Sequence, residues 1–281
     1  FAGSGRPYRY ARGKASRVRG GRDGARLARA QLRGKERMDL VERAGTLRHV
    51  GPLSPFTGMS VSGLLARPEV RPQFRDFIVG WVEAAVQNKA GPWGAGGLRY
   101  TSIGSGELLF DLELLERIRE AGVPIAQICL VDLDYLQPTV FVKQALREFA
   151  DWQRATSQLG RETPADILVF GSIEDYREQL GQRGRAAGCH LLVHANALWE
   201  GDERWESATE DCRKLGQLAL GGGGLLAHAG SDAAAAWVRG PKALEPIEDT
   251  LLQACTAAIS TPATQAWVKQ QARARLAAQE E

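Results

Sequence analysis

Five short apolar runs recur between residues 98 and 228. They are Leu98–Ile103, QICLVD (Gln127–Asp132), DILVFG (Asp166–Gly171), CHLLVH (Cys189–His194) and GLLAH (Gly224–His228). Between them lie longer stretches whose apolar positions return every three or four residues, the period of a helix with one buried face. These predict helices over Glu107–Glu120, Val140–Gln158, Glu174–Arg183 and Glu203–Leu220. Continuous apolar strands separated by helices indicate a parallel sheet covered on both faces. Right-handed crossovers then make it doubly wound.

Upstream, Phe74, Phe77, Ile78, Trp81, Val82 and Ala85 share helical spacing and predict a leading helix over about Pro72–Lys89. It follows a proline-rich connector with Pro52, Pro55, Pro68 and Pro72. Downstream, two further helices are expected, near Leu244–Ile259 and Thr264–Ala278. The pattern thus divides the chain into residues 1–50, a connector and leading helix over 51–97, and an α/β domain over 98–281.

Charge separates the first part from the rest. Residues 1–50 carry twelve Arg and two Lys against four acids, a net of +10, whereas residues 51–281 hold 22 basic and 29 acidic residues, a net of −7. The first 24 residues, rich in Gly, Arg and Ser, lack apolar periodicity and should be irregular on their own. A helix is expected after them, between a cap at Asp23 and a stop at Gly45. Arg19, Arg22, Arg26, Arg29, Arg33 and Arg37 recur at steps of three and four. A stripe of like charge repels itself unless an acidic surface lies against it. The weakly apolar opposite face (Ala25, Leu32, Val41) disfavours lipid insertion. The expected partner is therefore an acidic protein or RNA surface within a larger complex. An Arg-rich, acid-poor N-terminus also suits an organellar transit segment. Its initial Phe1 resembles plastid presequences of algae with complex plastids, so a plastid or mitochondrial location is expected.

The remaining composition, 44% hydrophobic and 25% charged, is that of an ordinary globular chain. The four cysteines show no C-x-x-C pair, which argues against a disulfide framework or zinc finger. No uncharged run of 18 large apolar residues exists, so no membrane span is expected.

In a doubly wound sheet, ligands bind beyond the carboxyl ends of the strands, where the strand order reverses. Those ends carry Gly104-Ser105-Gly106, Asp132-Leu133-Asp134, Gly171-Ser172, His194-Ala195-Asn196 and His228-Ala229-Gly230. Glycines at 104 and 106 permit positive φ and close backbone approach, and the helix after them turns its positive end toward the site. His194 is a candidate general base and Asn196 a candidate for orienting a substrate. His190 and His194 lie four strand positions apart, about 13 Å, too far to share one zinc. Hydrolase-elbow and phosphate-loop motifs are absent.

The glycine turn IGSG, the acid Asp132 closing the second run, and LGGGG before the fifth run together resemble the Rossmann-like class I S-adenosylmethionine-dependent methyltransferases over about Leu98–Gly230. The resemblance implies that Gly104, Ser105 and Gly106 approach the methionine part of S-adenosylmethionine. It implies that Asp132 binds the ribose hydroxyls and that Ser172 and Ile173 lie near the adenine. The sequence departs from the family where the third glycine falls on Leu108, and where Thr101, Ser102 and Ile103 take the place of the acid just before the first glycine. HANALW after the fourth run lacks the prolines of amide-methylating enzymes. Two functions follow: a methyltransferase-like protein, active or degenerate, or a non-catalytic accessory subunit of a photosynthetic, respiratory or ribosomal assembly.

Overall fold

The computed structural model describes residues 8–9, 63–89, 91–160, 163–183, 188–195, 205–230, 233–267 and 270. Apart from Tyr8 and Arg9, the basic segment and its arginine stripe lie outside them, as do Asn196 and residues 271–281. Among the described residues, eight strands form one sheet in the order β1-β4-β3-β2-β5-β6-β7-β8. They are β1 Tyr8–Arg9, β2 Leu98–Ile103, β3 Ile125–Val131, β4 Asp166–Phe170, β5 Cys189–Ala195, β6 Leu220–Ala229, β7 Ala234–Arg239 and β8 Leu244–Pro246.

The five strands from β2 to β6 pair in parallel; β1, β7 and β8 pair antiparallel. From β2 the chain builds outward to β3 and β4, then returns to place β5 on the other side of β2. That reversal between β2 and β5 is the switch point of a doubly wound, Rossmann-like sheet, as the sequence pattern implies.

The helices that accompany the sheet are α1 Arg71–Gln87, α2 Leu109–Glu120, α3 Val140–Gly160, α4 Ile173–Arg183, α5 Trp205–Ala219 and α6 Thr250–Ile259. Strand side chains alternate between two cores. On one face Tyr100, Ile128, Leu130, Leu191, Val193, Leu225 and Ala227 meet α1, α2, α3 and α6. On the other, Ile103, Cys129, Leu168, Leu192 and Leu226 meet Tyr176 and Leu180 of α4 and Cys212 and Leu215 of α5.

Local chemistry fixes the helix ends. Pro72 lies in the first turn of α1, where its missing N–H costs nothing. Ser172 Oγ accepts from Asp175 N–H and caps α4, and Asp249 accepts from Leu251 N–H and caps α6. The leading helix locks to α2 through charge. Arg71 Nε and Arg75 Nη1 lie 3.4 and 3.5 Å from the fully buried carboxylate of Glu113.

The C-terminal expectation needs correcting. Residues 244–249 are not helical: Leu244–Pro246 forms the outer strand β8, and the helix begins only at Thr250. Pro246 cannot donate to a ladder and suits an edge strand. Strand β7 also went unanticipated, because AAAWVR is alanine-rich and alanine is depleted in strands. Its register against β6 supplies the missing signal, with Trp237 opposite Leu226 and Ala236 opposite Ala227. Residues 262–267 are helical, which covers the start of the second expected helix.

Candidate functional site

At the carboxyl end of β2 the backbone makes three positive-φ steps: Gly104 (+76°), Gly106 (+50°) and Leu108 (+68°). Gly104 N–H donates to Val131 O at 2.8 Å, tying the turn to the end of β3. Because Leu108 occupies the left-handed region, α2 starts at Leu109, two residues later than its polar pattern suggests. The side chain at Leu108 is wholly buried. The position that glycine would fill in the resembled family thus keeps a glycine-like conformation under a different residue. A bulky residue there carries backbone strain of about 1–3 kcal/mol.

Asp132 closes the turn from the β3 side. Its Oδ2 accepts from Gly106 N–H at 2.8 Å and its Oδ1 from Asp134 N–H at 3.0 Å. The carboxylate is half-buried, and Leu133 and Leu136 beside it are exposed. The Tyr135 hydroxyl donates to Gly106 O at 2.8 Å and sits 3.1 Å from Ser105 Oγ. Leu136 packs over Gly171, where an added Cβ would meet its side chain. Ser172 and Ile173 follow at the start of α4, both half-buried.

Below the turn lies a second polar layer. Tyr100 Oη donates to Asp111 Oδ1 at 2.6 Å, and both residues are buried. Burial pushes the Asp111 carboxyl up to about 6; hydrogen bonds from Ser102 and Tyr100 oppose the shift, and the charge of Asp132 adds to it. Burial likewise raises the phenols of Tyr100 and Tyr135. Sequence reasoning assigned no site role to Tyr100, Asp111 or Tyr135. Helical periodicity puts Asp111 on α2, but only the adjacency of β2 and α2 shows it facing Tyr100.

The histidines take a different arrangement. His194 is fully buried, and its Nδ1 lies 2.7 Å from Nδ1 of His228. Burial, then the neighbouring His228 ring, hold its pKa well below the usual value; burial lowers His228 to about 4. A general base at His194 would therefore have to work from inside the protein. His190 points elsewhere, accepting at Nδ1 from Arg99 N–H at 3.1 Å. The residues assigned to one crevice thus divide: Gly104, Ser105, Gly106 and Asp132 meet, Ser172 and Ile173 stand beyond the end of β4, and His194 pairs with His228. A sequence signal for that pairing exists. LLVHA of β5 and LLAHA of β6 lie side by side in register, His194 opposite His228.

Among the described residues no helix is long and apolar enough to cross a membrane. No protein-family profile matches the chain, and no curated protein matches it. Solved structures similar to it include a class I S-adenosylmethionine-dependent methyltransferase from Listeria monocytogenes (10% identity, TM-score 0.39, covering 73% of this chain and 63% of that one). Another is the rRNA methyltransferase AviRa from Streptomyces viridochromogenes (13% identity, TM-score 0.35, 65% and 88%). A third is an O-methyltransferase family protein from Burkholderia thailandensis (14% identity, TM-score 0.27, 73% and 51%). The chain thus spans less than two thirds of the length of the first and third of these.

Proposed function

We propose that the chain is a methyltransferase-like protein that binds S-adenosylmethionine at the turn between β2 and β3. One observation carries this reading: the Asp132 carboxylate and the Gly104–Gly106 turn meet at 2.8 Å at a carboxyl edge of the sheet. The donor set suits such a cofactor. A turn with two glycines lets an aminoacyl group approach the backbone closely, and the first turns of α2 bring the favourable end of a helix dipole. Asp132 would accept from ribose hydroxyls, with exposed Leu133 and Leu136 offering apolar surface to the base. Ser172 and Ile173 would border the base from β4. When bound, the cofactor supplies an electrophilic methyl group. The chain's part is positioning, and Asn196, which follows β5 in sequence and lies outside the described residues, would orient the acceptor.

Calorimetry with S-adenosylhomocysteine tests this directly. Micromolar binding is expected, weakened at least tenfold in Asp132→Ala. Absence of heat at millimolar ligand would discard the reading.

A second reading is favoured by a specific observation: Tyr135 and Asp132 already engage the polar groups of the turn. On that reading the crevice is a retained shape, and the protein is a non-catalytic accessory subunit of an organellar assembly. Residues 1–50 would then sit on an acidic protein or RNA surface. Deleting them should release the chain from its assembly while the α/β body stays folded; co-sedimentation of the truncated form would eliminate the arm as anchor.

A further inference from the structure

On the face of the sheet covered by α4 and α5, three soft or borderline donors converge. His194 and His228 come from the in-register ends of β5 and β6, and Cys212 comes from α5. One nitrogen of each ring and the Cys212 sulfur all lie within 4.8 Å of one another, and all three residues are buried to 1% exposure or less. We propose that His194, Cys212 and His228 form a binding site for a single thiophilic metal ion, cuprous copper, built into the core beside the switch point.

The spacing is close to what an ion imposes. Metal–nitrogen bonds of about 2.0 Å and metal–sulfur bonds of about 2.3 Å hold trigonal or tetrahedral donors roughly 3.3–3.8 Å apart. The present set lies close to that range: the two Nδ1 atoms are 2.7 Å apart, and one nitrogen of each ring and the Cys212 sulfur all lie within 4.8 Å of one another. Movements of less than about an ångström at each side chain therefore bring three ligands to one ion. The rings are already in the neutral form that ligation requires, since burial disfavours their cations.

Charge selects the ion. Burial pushes the Cys212 thiol well up, so without a metal it stays protonated. Ligation replaces the S–H bond with a metal–sulfur bond and releases that proton to solvent; each imidazole gives a lone pair and keeps its one ring proton, which in the ring that donates the Nδ1–Nδ1 hydrogen bond moves to Nε2. A cuprous ion, one thiolate and two neutral imidazoles sum to zero. A zinc ion with the same three ligands leaves a net charge of one in the buried core. An uncompensated buried charge is costly, and thiolate ligation already favours copper(I) among soft ions.

His194 pairs with Ile103, the residue immediately before Gly104. Filling the site would pin β5 and β6 beside the strand that presents the glycine turn.

The test uses the full chain. It is titrated anaerobically with a copper(I) salt against a chromogenic copper(I) chelator and, in a separate arm, with zinc alone. The expected result is one copper per chain, bound roughly tenfold or more weakly in Cys212→Ser. X-ray absorption of the copper-loaded parent should report one sulfur and two nitrogens, a readout independent of whether a variant folds. Stoichiometric zinc with no copper would overturn the choice of ion. Binding of neither metal, or a copper shell without sulfur, would overturn the site.

Discussion

The two sides of the switch point handle polar groups in contrasting ways. Beyond β2 and β3, the Gly104–Gly106 turn, Asp132 and Tyr135 form a half-open network held largely by hydrogen bonds to backbone groups of the turn. Beyond β5 and β6, His194, His228 and Cys212 are sealed inside, brought together from positions up to 34 residues apart. Burial acts alike on both, against charge. It raises the pKa of an acid, Asp111, and lowers that of a base, His228. One side leaves its polar network half-open; the other keeps its polar groups neutral and enclosed.

The strongest way to break the contrast is to strand a charge beneath the open side. Glu113→Ala leaves Arg71 and Arg75 buried without the carboxylate between them. Removing one partner from a buried ion cluster costs about 3–5 kcal/mol. Urea unfolding should show a loss of that size.

Next in size is Asp111. Its folded pKa of about 6 stands above the usual 3.8, so the native state holds the proton longer than the unfolded chain. Its contribution to stability therefore falls as pH rises from about 4 to about 6, and the penalty persists above. Two pKa units correspond to about 2–3 kcal/mol. Asp111→Asn keeps an acceptor for Tyr100 and removes the titration. The difference in unfolding free energy between variant and parent should grow in the variant's favour across pH 4–6 and then level off. A flat difference would show that Asp111 is not held protonated.

The smallest effect is the most diagnostic of the turn. At Leu108 both Leu108→Gly and Leu108→Ala lose a buried side chain, but only glycine relieves the positive φ. Glycine should be the milder substitution by about 1 kcal/mol, reversing the order seen at ordinary helical positions. If alanine proves milder, Leu108 does not hold the left-handed conformation.

Most of the parallel core was legible because its strands are continuous apolar runs. Leu98–Ile103 is β2 to the residue, and Asp166–Gly171 exceeds β4 by one. The glycine turn and Asp132 were legible for the same reason, since both lie directly at strand ends. Legibility failed where tertiary contacts overrode local pattern. Alanines became β7 by pairing with β6, Leu244–Pro246 became an edge strand inside an expected helix, and LGGGG became part of β6 rather than a turn before it. The His194–His228 pair needed strand order and register together, which spacing along the chain does not supply. Cys212 needed in addition the rotation of α5 about its own axis.

The in-register pentapeptides of β5 and β6 carry a folding consequence. LLVHA and LLAHA differ only at Val193 and Ala227, so either segment is chemically suited to the slot of the other during assembly. What breaks the degeneracy lies outside them. One flank is the bulge between Cys189 and Leu191, and the other is the chain's immediate return as β7, which demands an open neighbour for β6 alone. The return of the chain as β7 thus marks which of two near-identical segments takes the β6 slot.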